Sequence, residues 1–94
     1  WGVALDLDNN TIAFYRNGSI VNSAFSIDGL IGNGEFFPFV THYGSGLNSI
    51  VNFGGYTGIT ISSAASDENG YGTFEYAPPT GYYALCTKNL AEFG

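Results

Sequence analysis

Positive charge is the scarcest property of this 94-residue sequence, which has two cations, Arg16 and Lys88, against eight carboxylates. A protein that binds nucleic acid neutralises several phosphates with lysines or arginines on one face, so we predict no nucleic-acid partner. Anionic membrane surfaces are disfavoured for the same reason. The formal net charge of −6 is more simply explained as a contribution to solubility.

Cysteine and long apolar runs are also scarce. Cys86 is the single cysteine, which excludes an internal disulfide and is compatible with assembly in a reducing cytoplasm. No stretch reaches the roughly 18 consecutive apolar residues of a membrane-spanning helix, so we predict no membrane insertion. A signal-peptide pattern is missing as well.

Aromatic residues and glycines are what the sequence has in quantity. Aromatic residues make up 17% of the chain and charged residues only 11%, a balance that excludes intrinsic disorder. Fourteen glycines and few strong helix formers predict an all-β fold with glycine-rich turns. The length allows one domain, which we place at residues 1–94.

The first 18 residues carry the clearest pattern. Val3, Leu5 and Leu7 alternate with small or acidic residues, so period two predicts a strand whose aliphatic side chains face the core. A polar turn leads into a return strand over 11–16. The Asn17-Gly18 pair follows, and it is typical of a two-residue type I′ turn.

The rest of the chain alternates between predicted strands and turn-rich stretches, and the strand pattern is strong over 35–43, with Phe36, Phe37, Phe39 and Val40. Pro38 has no N–H and would place its strand at a sheet edge or a bulge. Residues 88–94 are predicted to be a tail. The further predicted strands cover residues 19–25, 35–43, 47–53, 59–63 and 82–86.

Three blocks together resemble the C-terminal half of a SPRY domain. They are the hairpin Gly2-Val-Ala-Leu-Asp-Leu-Asp-Asn-Asn-Thr-Ile-Ala-Phe-Tyr-Arg-Asn-Gly18, Glu35-Phe-Phe-Pro-Phe-Val40, and Ser49-Ile-Val-Asn-Phe-Gly54. The resemblance implies an antiparallel, concanavalin-like β-sandwich that is incomplete at its N-terminus. It also implies that Gly55–Gly72 expands a link that is short in the family. We therefore expect this segment to belong to a longer chain, or to be completed by a neighbouring subunit.

The closing segment is similar to SPRY-like modules in structural proteins of tailed bacteriophages. It reads Phe74-Glu-Tyr-Ala-Pro-Pro-Thr-Gly-Tyr-Tyr-Ala-Leu-Cys-Thr-Lys-Asn-Leu90. The resemblance implies a virion protein, assembled in the host cytoplasm as part of an oligomer. A tail fibre, a capsid fibre and a decoration protein are all compatible with it. Its partners would be other virion proteins or the rest of its own longer chain.

No pattern in the sequence predicts catalysis, a metal or a cofactor. Asp6, Asp8 and Asn9 offer three oxygens on a flat strand, whereas Ca²⁺ takes six to eight ligands. The Asp67–Gly70 stretch lacks the spacing of a calcium loop, and a plain turn is the simpler interpretation. His42 is the only histidine, and no G-x-S-x-G motif accompanies it.

Binding is predicted at loop positions, where a rigid scaffold usually carries its recognition residues. Tyrosine combines a large contact area with a polar tip, which suits protein and sugar surfaces. The candidate rim consists of Asn9, Asn10, His42, Tyr43, Tyr56 and Tyr71.

Three functions are compatible with this rim. The first is a non-catalytic adhesion module of a phage virion that displays loops to a host-surface glycan or protein. The second is an intracellular SPRY-type adaptor that captures a peptide. The third is a carbohydrate-active enzyme, which requires two carboxylates about 5–10 Å apart across a cleft.

Overall fold

The computed structural model describes residues 1–30, 35–55 and 58–94. A four-stranded antiparallel sheet occupies the first part of the chain, and one short helix lies at its end, which confirms the predicted all-β class. The elements are β1 (Gly2–Asp6), β2 (Thr11–Arg16), β3 (Ser19–Ile20), β4 (Phe25–Ser26), a 3₁₀ turn (Asp28–Leu30) and α1 (Thr87–Phe93).

Strand β2 lies at the centre of the sheet. It pairs with β1 along one side, from Gly2 opposite Tyr15 to Asp6 opposite Thr11. Along its other side it pairs with β3 and then with β4. The predicted hairpin and its return strand are therefore both present, with β1 on the outside.

The Asn17-Gly18 turn between β2 and β3 has the predicted backbone geometry. Both residues have positive φ, 51° for Asn17 and 80° for Gly18, as a type I′ turn requires. The turn between β1 and β2 depends on Asp6, whose Oδ1 accepts the backbone N–H groups of Asp8 and Asn9 at 3.0 and 2.9 Å. Carboxylates stabilise turns in this way because they satisfy nearby N–H groups.

Burial in the hairpin falls on the opposite face from the one predicted. Ala4 and Ala13 lie opposite each other and are buried, whereas Val3, Leu5 and Leu7 are exposed. Alternation correctly predicts that the aliphatic side chains share one face, but it does not determine which face becomes covered. The covered face is the one with the small side chains.

Four of the predicted strands do not form within the part of the chain that the structure describes. The segments 35–43, 47–53, 59–63 and 82–86 contain no assigned strand, although Ala65 and Phe74 form a single antiparallel bridge. An alternating pattern reports only which side chains would share a face. A strand also needs a neighbour that receives its backbone hydrogen bonds, and Pro38 cannot donate one.

The end of the chain, predicted to be a tail, folds into α1. Cys86 is the N-cap residue, and the N–H of Gly94 donates to the carbonyl of Leu90 at 3.0 Å. Leucine, alanine, lysine and glutamate are good helix formers, and a final glycine is a common helix stop. No helix among the described residues has the length and apolar character needed to cross a membrane.

Candidate binding groove

A buried carboxylate joins three segments in the second half of the chain. Asp67 Oδ1 accepts the backbone N–H groups of Asn69 and Tyr71 at 3.0 and 2.9 Å. Its Oδ2 accepts the N–H of Ala84 at 2.9 Å and the side-chain amide of Asn89 at 2.7 Å. The 67–71 turn, the 83–86 segment and α1 are therefore held on one side chain.

Competing influences act on the pKa of Asp67. Burial works to raise it, but the hydrogen bonds from Ala84, Asn89, Tyr71 and Asn69 stabilise the charged form and outweigh burial. The net result is a pKa below the ordinary value of 3.8. The carboxylate is therefore ionised at neutral pH, when it accepts all four hydrogen bonds.

Asn89 is also buried, and both the nitrogen and the oxygen of its side-chain amide form hydrogen bonds. Its Nδ2 donates to Asp67 Oδ2 and, at 3.0 Å, to the carbonyl of Ala84. Its Oδ1 accepts a hydrogen bond from Asn69 Nδ2 at 2.9 Å. Because every polar atom of the amide has a partner, this side of α1 is held in one orientation.

A groove of about 340 Å³ lies between α1 and the 83–86 segment. Asn69, Cys86 and Asn89 supply its polar and sulfur atoms. The large side chains that line it are mostly exposed, and they are Tyr83, Leu85, Leu90 and Phe93. The groove is therefore open to solvent and largely apolar, with a few polar groups held in place by hydrogen bonds.

Tyr71 contacts two residues of α1, Lys88 and Glu92. Its hydroxyl donates to Glu92 Oε2 at 2.5 Å, and Lys88 Nζ lies 4.9 Å from the centre of its ring. The hydrogen bond to Glu92 raises the pKa of Tyr71 above its ordinary value of 10.0, and some desolvation adds to the effect. Tyr71, one of the predicted rim residues, therefore contacts the helix that forms one side of the groove but does not line the groove itself.

Asn9, Asn10, His42 and Tyr43 are not among the residues that line this groove. Asn9 donates from Nδ2 to Asp6 Oδ2 at 2.8 Å, and the carbonyl of Asn10 accepts the Ile27 N–H at 2.8 Å. His42 Nε2 lies 2.5 Å from Ser49 Oγ.

Tyr43 next to His42 is completely exposed, and Tyr56 lies outside the described residues. No hydrogen bond or ring contact among the described residues joins the Asn9–Asn10 turn, the His42 loop and Tyr71. That these residues form one binding rim therefore stays a prediction.

Sequence reasoning missed the part that Asp67 and Asn89 play. The predicted turn at Asp67–Gly70 is confirmed, since the Gly70 N–H donates to the Asp67 carbonyl at 3.0 Å and Gly70 has a φ of 81°. Asp67 also contacts Ala84 and Asn89, which lie 17 and 22 positions further along the chain. No pattern in the local sequence predicts contacts at such a separation. Within residues 1–30, 35–55 and 58–94, no three histidine, cysteine or acidic residues are placed to hold a metal ion.

Comparison with known proteins gives one positive result. The family model described as SPRY domain matches residues 2–56. Those residues contain all three sequence blocks that carry the resemblance, whereas the groove lies in the remainder of the chain. No curated protein and no solved structure matches. Because the match spans more than half of the 94 residues, the chain belongs to the SPRY domain family.

Proposed function

We propose that this chain is a non-catalytic protein-interaction module that binds an apolar segment of a partner protein in the groove beside α1. Membership of the SPRY family supports the general class, since a SPRY domain suggests a protein-interaction module. The groove is the observation that carries the specific proposal. It combines exposed apolar side chains with a polar network that is satisfied without a partner.

Burial of the exposed groove side chains would drive the association. Leu85 and Leu90 are each 71% exposed, and Phe93 is 64% exposed. Complete burial of such a side chain contributes about 1.5–3 kcal/mol before the cost of association is subtracted. Because association itself costs several kcal/mol, a partner must cover most of the exposed lining side chains, and not one or two of them, to form a measurable complex.

Charge around the groove favours a partner with basic residues beside its apolar ones. Glu68 and Glu92 immediately adjoin the lining residues Asn69 and Phe93 in sequence. Lys88 lies over the Tyr71 ring, and the chain as a whole has a net charge of −6. Complementary charge mainly increases the association rate and the selectivity.

A random peptide library displayed on particles supplies the probe for this proposal. Peptides selected on the wild-type chain are synthesised, and their affinities are measured by fluorescence anisotropy. We expect Leu90→Ser to weaken binding by about tenfold or more, because a buried leucine contact is lost.

Leu30→Ser is the matched control, since Leu30 is 70% exposed on the 3₁₀ turn and lies away from the groove lining. Circular dichroism checks that both variants stay folded. Equal affinities for the wild type and Leu90→Ser would contradict the groove as the site. In that case His42→Ala and Tyr43→Ala test the loop rim with the same peptides.

The biological setting we propose for this module is a phage virion, where it would display its surface to a host protein or glycan. The similarity of the closing segment 74–90 to SPRY-like modules of phage structural proteins supports this setting. The test is to measure the intact masses of the polypeptides in purified virions and to look for one that contains this sequence. Intact mass is preferred to tryptic mapping, because two cations leave few tryptic peptides. Recovery only from the soluble cell extract would favour the adaptor function, and release of reducing ends from glycans would contradict a non-catalytic role.

A further inference from the structure

The dipeptide Asn-Gly occurs three times in this sequence, at Asn17-Gly18, Asn33-Gly34 and Asn69-Gly70. The structure describes the first and the third, whereas Asn33-Gly34 lies outside the described residues. The side-chain amide of asparagine is thermally labile. A glycine after it leaves the next backbone nitrogen unshielded, because glycine has no Cβ. The same reactive pair therefore lies in two different surroundings of known geometry.

The groups that would react at Asn17-Gly18 are free. Both residues are exposed, and they form the tip of the turn between β2 and β3. Among the described residues, neither the Asn17 side-chain amide nor the Gly18 N–H takes part in a hydrogen bond. Arg16 immediately precedes the pair. A neighbouring cation favours loss of a proton from the Gly18 nitrogen, which makes that nitrogen a nucleophile.

The same groups at Asn69-Gly70 are held by hydrogen bonds. Asn69 Nδ2 donates to Asn89 Oδ1 at 2.9 Å, and the Gly70 N–H donates to the carbonyl of Asp67 at 3.0 Å. The Asp67 carboxylate accepts the Asn69 N–H at 3.0 Å, so negative charge lies next to this pair. Like charge disfavours loss of a proton from the Gly70 nitrogen. A reaction here requires these contacts to break first.

Ring closure at Asn17 requires only a small part of the sheet to open. Asn17 has a φ of 51° and must leave this turn conformation to bring Cγ to the Gly18 nitrogen. The strand that follows, β3, has only two residues, and both are exposed. A short, exposed element opens at a low cost in free energy. Asn69, in contrast, is tied to the buried side chain of Asn89.

We propose that Asn17 is a site of spontaneous modification, at which the side-chain amide is converted to aspartate or isoaspartate through a cyclic imide with Gly18. The Gly18 nitrogen loses its proton and forms a bond to Asn17 Cγ, while the bond from Cγ to Nδ2 breaks and ammonia leaves. One water molecule then opens the ring. Attack at Cγ gives aspartate, and attack at the backbone carbonyl carbon gives isoaspartate. The reaction consumes one water, releases one ammonia and involves no oxidation.

The two products have different consequences for β3. Aspartate keeps the backbone connectivity and adds one negative charge to the net charge of −6. Isoaspartate inserts a methylene group into the main chain, which a two-residue turn cannot accommodate while Arg16 stays opposite Ser19. We expect β3 to lose its pairing with β2 in the isoaspartate form. This inference goes beyond the proposed function and is independent of it, because the reaction needs no partner.

Peptide mapping after incubation of the chain in warm, mildly alkaline buffer measures the rate at each site. Cleavage after aromatic residues places the three Asn-Gly pairs in separate peptides. Mass spectrometry detects the change from amide to acid, and electron-transfer fragmentation distinguishes isoaspartate from aspartate. We expect Asn17 to react about tenfold or more faster than Asn69, because hydrogen bonds must first break at Asn69.

The same incubation in concentrated urea is the control. Unfolding removes the difference in surroundings, so the rates at Asn17 and Asn69 should converge. Asn89→Ala removes the acceptor of Asn69 Nδ2 and should raise the rate at Asn69 towards that at Asn17, whether or not α1 stays folded. Equal rates at the two sites of the folded wild type would overturn the proposal, and so would an advantage of Asn17 that persists unchanged in urea.

Hydrogen exchange of the Val21 amide tests the consequence for β3. In the unmodified chain this N–H donates to the carbonyl of Phe14 at 2.9 Å, directly after β3. The isoaspartate form, separated by ion exchange, should exchange this amide faster than the unmodified chain. The Ala4 amide, in the β1–β2 ladder on the other side of β2, should be unaffected. An equally protected Val21 amide in both forms would show that the turn tolerates isoaspartate.

Discussion

Asp67 shows how differently the same residue type behaves at two places in this chain. Its carboxylate is buried and joins segments that are distant in sequence, whereas the Asp6 carboxylate is partly exposed and serves only its own turn. Both have a pKa below the usual 3.8. Only the buried one has a large structural consequence, because water readily replaces the partners of an exposed group.

Replacement of Asp67 by asparagine should destabilise the chain strongly. Asp67→Asn puts an amide NH₂ where an oxygen now accepts hydrogen bonds, so buried donors lose their acceptor. We expect the free energy of unfolding to fall by about 2–4 kcal/mol. Urea unfolding measures this loss. The control Asp8→Asn makes the same chemical change at an exposed position and should shift the value by less than about 0.5 kcal/mol; equal effects would contradict the structural role of Asp67.

Gly18 and Gly46 offer a matched pair for the cost of a side chain. Both have positive φ, 80° and 76°, which costs an alanine about 1–2 kcal/mol. A Cβ on Gly18 would also lie 2.7 Å from Tyr76 Cδ1, whereas one on Gly46 would meet nothing within 4 Å. We expect Gly18→Ala to cost roughly 1 kcal/mol more than Gly46→Ala in urea unfolding, and the Tyr76→Ala background should abolish the difference.

At the scale of the elements, β1, β2 and their turns could be predicted because every determinant is local. Alternation and the Asn17-Gly18 pair lie within a few residues of the structure that they produce. The segments 35–43 and 47–53 are rich in aromatic and aliphatic residues but have no assigned strand, since a strand also depends on a distant neighbour. The groove was beyond prediction for the same reason, because the contacts of Asp67 with Ala84 and Asn89 cross 17 and 22 residues.

One substitution at the N-cap of α1 should increase the stability of the chain. Cys86 occupies the N-cap with extended backbone, φ −136° and ψ 155°, and its side chain makes no capping hydrogen bond. A serine hydroxyl accepts the free N–H groups of the first helical turn. We expect Cys86→Ser to raise the free energy of unfolding by about 0.5–1 kcal/mol. Cys86→Ala, which also removes the thiol, should give no such gain; a gain of the same size would show that capping is not the cause.

For the whole molecule, the lowered carboxylate pKa values predict a loss of stability in acid. Asp67 and Asp6 have a folded-state pKa below 3.8, and hydrogen bonds from Ser62 hold that of Glu75 below 4.5. Their contribution is complete above these ordinary values and disappears as pH falls through the folded-state values. Urea midpoints should therefore be level near neutrality and fall below about pH 4. In the Asp67→Asn variant, the urea midpoint should fall less steeply below about pH 4 than in the wild type.

Tyr71 predicts a loss of stability at alkaline pH. Its pKa is raised above 10.0, so its contribution is complete below that value and is lost as pH rises through the folded-state pKa. Tyr71→Phe cannot ionise and should show a shallower alkaline loss in the same measurement. An unchanged alkaline limb would mean that the Tyr71–Glu92 hydrogen bond does not contribute to folding.

The small size of the buried side chains has a thermal consequence. In the part of the chain that the structure describes, the buried apolar residues are Ala4, Ala13, Ile27 and Ala84, and three of these four offer a single methyl group. Folding of the lone chain thus removes little hydrocarbon from water, and the heat capacity of unfolding should lie below the usual ~12–15 cal/mol/K per residue. Its stability curve would be broad and flat, with a gradual melting transition and little tendency to unfold on cooling.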